Sequence, residues 1–334
     1  MLAYFECYKR DDGFRVLRAM KSLVLRIISV VLLVNGRALD DIDKRVINGE
    51  TLTDLSKVPS AVRISDYKYL GAGTCGGTLI DDDWVLTAAH CLEDLQTIYI
   101  QAGSAKTSDD PRDDPLEDLK IFLAKASRWF KHKQCKQIIF HHLLTFLDVK
   151  RTFENDIALI KLERPVNFEK YPHIKKAPLA TNKTFPGVGV VCKMAGWGRM
   201  KDGETAIDAQ FLQTNVFDPT LCSKKYKKYS FNPKKQFCDL HKTLNKSTAE
   251  GDSGSGFLCH NGSTWLLAGL VSYGDNRDYF TPSVNVRVSA YHDWIKETMT
   301  KDNPAPKPVD NVILNCIVKV IKWILDHLNC NIIE

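Results

Sequence analysis

The sequence holds no C-x-x-C pair, so the usual spacing of a structural zinc site is missing. No apolar run reaches the roughly twenty residues that a membrane-spanning helix needs. No segment repeats at a fixed period, which excludes solenoids and propellers. Charge of one sign is scarce as an excess. The net value of +6 over 334 residues gives no broad basic surface of the kind nucleic acid demands. What the chain does carry is ten cysteines. Without zinc spacing, that number points to disulfides in an oxidising compartment. The length suits one large domain or two small ones.

The N-terminal part supports that compartment. Met20-Lys21 precedes an apolar run from Leu23 to Val34, broken by Arg26 and Ser29, with small residues at Gly36 and Ala38. A basic start, an apolar middle and a small-residue end describe a secretory signal peptide within residues 1–38, better read from Met20 than from Met1. A buried N-terminal helix is the alternative. Residues 39–45 are short and charged and end in Lys44-Arg45, a natural site for proteolysis. Cleavage after Arg45 makes Val46 a new N-terminus. The expected location is extracellular.

From Val46 to Thr300 many short apolar stretches alternate with turn residues. They include Thr78–Ile80, Trp84–Leu86, Ile98–Ala102, Ile157–Leu162, Val188–Ala195, Leu266–Val271 and Val284–Val288. That spacing predicts an all-β sandwich or barrel pair, closed by one helix over Ala290–Met299. Two stretches look inserted. Residues 108–119 are acidic, and Asp109, Asp110, Asp113 and Asp114 lack a recognisable calcium-ligand spacing, so a solvated loop is the reading. Residues 120–137 run basic and read as partly helical. The run Lys224-Lys225-Tyr226-Lys227-Lys228 reads as a solvated face. His141-His142 has no partnered spacing for a metal. A proline-rich linker covers 301–308. Residues 309–334 then repeat apolar positions at helical spacing with polar interruptions. This amphipathic helical tail must lie on the protein's own body, on a partner or on a membrane surface.

Three motifs carry chemistry. Gly251-Asp252-Ser253-Gly254 suits a tight turn that holds one hydroxyl in the open. Alone it is a four-residue match that an ordinary surface turn explains better, because a nucleophilic serine needs a base. Upstream, Thr87-Ala88-Ala89-His90-Cys91 sets a histidine after small residues and beside a cysteine. A Cys75–Cys91 bridge would close a short loop around it, worth roughly 3 kcal/mol in the chain-entropy picture. Asn155-Asp156-Ile157-Ala158-Leu159 sets an acid at the head of an apolar strand, where burial demands a partner such as an imidazole N–H.

With these motifs, and Ala195-Gly196-Trp197-Gly198, the chain resembles the chymotrypsin/trypsin family of serine endopeptidases over residues 46–300. The chain order His, Asp, Ser is also that family's order. The resemblance implies two six-stranded antiparallel β-barrels with a C-terminal helix and the site in the cleft between them. It implies Ser253 as nucleophile, His90 as general base and acid, and Asp156 as the group that orients the imidazole. It implies an oxyanion hole from the N–H groups of Gly251 and Ser253. It also implies a zymogen, switched on when the α-amino group of Val46 pairs with Asp252 after cleavage at Arg45.

Further positions follow from the same resemblance. Cys192 is expected to pair with Cys259, and Cys222 with Cys238, beside Cys75–Cys91. Cys7, Cys135, Cys316 and Cys330 have no family partner, and one family disulfide is missing because Ala249 stands where a cysteine is usual. Ser247, six residues before Ser253, takes the floor of the primary specificity pocket. Gly274 lines a wall, Ser283 stands where glycine is usual, and Ser272-Tyr273-Gly274 matches the segment that pairs with substrate backbone. An uncharged floor implies a chymotrypsin-like preference, with an elastase-like one as alternative. Ser255-Gly256 departs from the family's Gly-Pro. Sequons at Asn182 and Asn261 fit a glycoprotein, and the one at Asn245 crowds the pocket. No cofactor or metal is implied. The implied partners are protein substrates, an activating protease and protein inhibitors. The rival reading is a non-catalytic homologue that binds or regulates.

Overall fold

A computed structural model describes residues 49–66, 75–93, 95, 97–106, 120–133, 153–200, 205–240, 248–274 and 282–302. The expected signal peptide, activation segment, acidic loop and tail lie outside the described residues, as do Arg45, Val46, Ser247, Asn245, His141 and His142; of the expected linker only Lys301 and Asp302 are described, and they end the C-terminal helix instead.

A two-residue strand, β1 (Glu50–Thr51), precedes two barrels. The first is closed by β2 (Ala61–Ser65), β3 (Cys75–Asp81), β4 (Trp84–Thr87), β5 (Tyr99–Ala102), β6 (Phe122–Lys131) and β7 (Ala158–Leu162), in the order β2-β3-β4-β7-β6-β5. The second uses β8 (Val191–Gly196), β9 (Gln210–Phe217), β10 (Gln236–Leu240), β11 (Gly256–His260), β12 (Trp265–Tyr273) and β13 (Ser283–Arg287). Its strands run β9-β10-β13-β12-β11-β8, and the β8–β9 pairing closes the ring. Every named pairing is antiparallel.

Three apolar cores explain why so many strands read as unbroken hydrophobic runs. In β7, Ala158, Ile160 and Leu162 fill the first barrel while Leu159 faces a second core shared between the barrels. In β4, Val85 points into the barrel and Trp84 and Leu86 point to that shared core. A strand buried on both faces loses the polar alternation of a half-exposed one. Likewise in β12, Leu267 and Leu270 join the shared core, whereas Ala268 and Val271 join the core of the second barrel. The one charge in β7, Lys161, is satisfied by Asp83 at 2.8 Å and lies over the Trp84 ring.

The structure corrects the reading of 120–137. Residues Phe122–Lys131 form a ten-residue strand, not a helix. Phe122, Ala124 and Ala126 are buried, and Lys125 and Ser127 are exposed. That period of two outweighs the basic composition that suggested a helix. The C-terminal helix runs His292–Asp302 after a 3-10 turn at Val288–Tyr291, and Ile295 anchors it on the shared core. A second helix, Pro219–Lys225, was not expected. Its signal is local: Asp218 caps it by accepting from Thr220 N–H, and Pro219 opens it. In the following run Lys224, Lys225 and Lys227 are exposed, but Tyr226 is buried.

Disulfides join Cys75 to Cys91, Cys192 to Cys259 and Cys222 to Cys238. Among the described residues no helix is long and apolar enough to cross a membrane.

Candidate active site

His90 sits in a 3-10 turn, Ala89–Leu92, directly after β4. The Cys75–Cys91 disulfide ties that turn to the start of β3. Asp156 lies just before β7, the strand that pairs with β4, so register alone brings the two together. His90 Nδ1 lies 2.8 Å from Asp156 Oδ2, and the His90 backbone N–H donates to Oδ1 at 2.9 Å. The Ser272 hydroxyl donates to Oδ2 at 2.7 Å. Ser272, expected at the specificity pocket, therefore spends its side chain on Asp156.

These contacts set the charges. Burial by itself raises the Asp156 carboxyl, but the neighbouring His90 charge and the bonds from His90 and Ser272 outweigh it and hold the group below the ordinary carboxylate value. Burial pulls the His90 imidazole down, and the Asp156 charge and hydrogen bond more than reverse this, leaving it raised. A raised histidine is charged at low pH and becomes a base only above its shifted value. Asp156→Asn removes the charge that raises it. The acid limb of kcat/KM should move to lower pH while kcat falls about 10⁴-fold. A pH–rate profile checks both.

Ser253 is carried on the loop before β11. It is pinned to the other barrel by Gly76 N–H, which donates to Ser253 O at 2.8 Å. Gly76 has room for this only without a side chain, since an added Cβ would overlap Ser255 Oγ and stand 2.9 Å from Ser255 Cα. Gly76→Ala should displace the loop. A misplacement near 1 Å lowers kcat/KM by about 10²-fold, which steady-state kinetics on the variant would read. No hydrogen bond joins Ser253 Oγ to His90 in this structure, so the bonded set is His90, Asp156 and Ser272. Gly251 and Gly254 take positive φ, +95 and +78. Among the described residues the N–H groups of Gly251 and Ser253 donate to no acceptor, while Gly254 N–H is taken by Val271 O.

Asp252 is fully buried. Its Oδ1 accepts from Gly198 N–H at 2.9 Å and its Oδ2 from Ala249 N–H at 2.8 Å. A Cβ on Gly198 would stand 2.6 Å from the Asp252 carboxyl carbon, which explains the second glycine of Gly196-Trp197-Gly198. Burial pushes the carboxyl up to about 6, only partly offset by those two bonds, and no cation pairs with it among the described residues.

Beside His90 stands an aromatic wall that sequence reasoning missed. Phe153 meets the imidazole edge-on at 6.2 Å and stacks on Tyr273 at 4.8 Å. Tyr226 and Tyr229 pack on Tyr273 at 5.3 and 5.6 Å. Tyr226 and Tyr229 were hidden in and beside the lysine run, whose charge dominated its reading. Gly274 is exposed at the end of this segment, and Ser283 is buried behind it, accepting from Thr248 Oγ1 at 3.0 Å. Asn182 and Asn261 are exposed, each accepting backbone N–H bonds in a tight turn. Cys75, His90 and Cys91 cluster within ligand distance of one another, but the two sulfurs are bonded together and offer no thiolate.

Two closed barrels with a histidine–aspartate pair and an open serine loop between them define a hydrolase of the two-barrel class. Residues 47–295 match the family profile described as Trypsin. Human cathepsin G is 29% identical over 229 residues, covering 69% of this chain and 78% of that protein. The snake venom serine protease catroxase-1 of Crotalus atrox is 29% identical over 242 residues, covering 71% and 81%. The chain belongs to the trypsin family and is a serine endopeptidase acting on protein substrates.

Proposed function

We propose that the protein is a secreted zymogen whose cleavage after Arg45 yields a peptidase working through Ser253, His90 and Asp156. The observation that carries this is the 2.8 Å contact of His90 Nδ1 with the buried Asp156, next to a serine loop pinned against the histidine's own barrel. Ser253 Oγ attacks the scissile carbonyl as His90 Nε2 takes its proton. Asp156 stabilises the imidazolium, and His90 then protonates the leaving amine. The unspent N–H groups of Gly251 and Ser253 support an oxyanion hole, where each donor is worth about 3 kcal/mol of barrier. The acyl-enzyme is released by water through the same histidine.

Asp252 is the switch in this reading. A buried carboxylate needs a cation, and the α-ammonium of Val46 supplies one after cleavage. The primary pocket, with uncharged Ser247 at its floor by sequence and Gly274 and Ser283 at its wall, takes a large apolar side chain in the chymotrypsin-like manner. The aromatic wall of Phe153, Tyr226, Tyr229 and Tyr273 offers apolar surface to the neighbouring substrate residues. The exposed turns at Asn182 and Asn261 suit glycan attachment. A fluorophosphonate probe tests the core of the proposal. Protein cleaved after Arg45 should label at Ser253 and uncleaved protein should label far more slowly; equal labelling of both forms would remove the zymogen, and no labelling would remove the mechanism.

A further inference from the structure

A groove used by neither the hydrolytic chemistry nor the switch lies between the end of β6 and the C-terminal helix. Its volume is about 480 Å³. Trp294, Glu297, Thr298 and Lys301 line it from the helix, at the i, i+3, i+4 and i+7 spacing of one helical face. Ile295 turns the other way, into the shared core. Phe130 in β6 and His132 just after it line the groove from the barrel. The His132 ring stands 5.2 Å from Trp294 and 5.5 Å from Tyr291. Burial, and after it the Lys235 charge, hold the imidazole below its ordinary value, so this wall is uncharged at neutral pH. Most of the charge around the groove is spent internally. Lys301 Nζ lies 2.6 Å from Glu297 Oε1 and Arg128 Nη1 lies 2.9 Å from Asp302 Oδ1, which leaves Lys133. The surface on offer is mainly aromatic.

The helix ends at Asp302, which itself lines the groove. A carboxylate gains nothing from the C-terminal end of a helix dipole. The Asp302 side chain is nevertheless only 4% exposed, and its Oδ2 has no hydrogen-bond partner among the described residues. A buried acceptor of this kind calls for cover and for a donor. The chain that follows Asp302 is joined to it and can supply both.

That following chain has a matching pattern. Residues 303–308 hold Pro304, Pro306 and Pro308, and at about 3.1 Å per residue they reach about 20 Å. The groove face from Trp294 to Lys301 is two turns, about 11 Å. Residues from 309 onward can therefore fold back along it. Ile317, Val320, Ile321 and Ile324 repeat the same i, i+3, i+4, i+7 spacing. Lys319 and Lys322 are balanced by Asp310 and Asp326. The segment thus lacks the basic polar face with which an interfacial helix holds an anionic membrane.

We propose that residues 309–334 dock on their own chain, laying the face of Ile317, Val320, Ile321 and Ile324 into this groove against Phe130, His132 and Trp294. Docking takes the aromatic walls and the isoleucines out of water together. The short tether favours the chain's own tail over that of a second copy, because it holds the segment at an effective concentration in the millimolar range.

The test is hydrogen exchange, read by mass spectrometry, on the full-length protein at a low and a high protein concentration. Amides of residues 313–328 should exchange about tenfold or more slowly than unstructured chain, equally at both concentrations. Ile317→Asp combined with Ile324→Asp should remove that protection and speed exchange in the helix segment 294–302. Thr298→Arg, which fills the groove and leaves the tail sequence intact, should also free the tail. Slow exchange in β7 and β12 within the same data shows that the barrels stay folded; if Thr298→Arg fails this check, the tail variant still decides. An unprotected segment 313–328 overturns the proposal. So does protection that rises with protein concentration, protection that needs phosphatidylserine vesicles, or protection that survives in folded Thr298→Arg protein.

Discussion

Ser253→Ala should lower kcat on a peptide substrate by about 10⁶-fold with KM little changed. Steady-state kinetics with a burst-phase control would measure it. The size of the effect comes from the loss of a covalent path, since the other hydroxyl of the Ser253 loop, Ser255, is buried against Gly76. His90→Ala should cost about as much, and the double variant little more than either, because the two act as one unit. The melting temperature should move little, as Ser253 makes no side-chain hydrogen bond in the structure. A loss below about tenfold would mean that another nucleophile carries the reaction.

The second large effect concerns Asp252. Asp252→Asn should lower kcat/KM of the cleaved protein by about 10²- to 10⁴-fold, the kinetic equivalent of the roughly 3–5 kcal/mol lost when one partner of a buried ion pair is removed. In the uncleaved chain the same carboxyl should make stability depend on pH. The sign follows from the carboxyl's shift to about 6. A folded value above the unfolded one favours the protonated fold. The stabilisation is therefore present at low pH and is lost as pH rises through about 6. Uncleaved protein should lose melting temperature between about pH 4, the ordinary carboxyl value, and about 6, and Asp252→Asn should abolish that slope. Cleaved protein should keep its stability through the window, since the α-ammonium, with an ordinary pKa near 8, now pairs with the carboxylate. Scanning calorimetry of both forms across this range reads the difference. Identical slopes would show that Val46 does not reach Asp252.

Much of this site was legible in order along the chain. His90, Asp156 and Ser253 each sit in a short motif whose neighbours are dictated locally. Small residues crowd the histidine turn, an acid heads a doubly buried strand, and glycines surround the serine. The short loop beside His90 offered the Cys75–Cys91 pair by itself, but Cys192–Cys259 and Cys222–Cys238 were legible only through the resemblance, since ten cysteines leave many pairings open. The strand at 122–131 was misjudged because its period of two is carried by small buried residues, Ala124 and Ala126, between conspicuous bases. The aromatic wall was missed for a related reason: Tyr226 and Tyr229 lie next to lysines, and only the three-dimensional path shows that Lys224, Lys225 and Lys227 are exposed while the rings turn toward Tyr273.

The sequence by itself determined the serine endopeptidase family, because the motifs around His90, Asp156 and Ser253 are properties of side chains and of the few residues around each. It determined the all-β class for the same reason, through short runs punctuated by turns. Tertiary structure alone decided which groups share an environment. Ser272 was expected beside the substrate and proved to serve Asp156. Gly76 and Gly198 proved to be glycines because a carboxylate or a serine loop arrives from far along the chain. Burial and pairing depend on contacts between residues distant in the chain, and these fix the charge that a group carries.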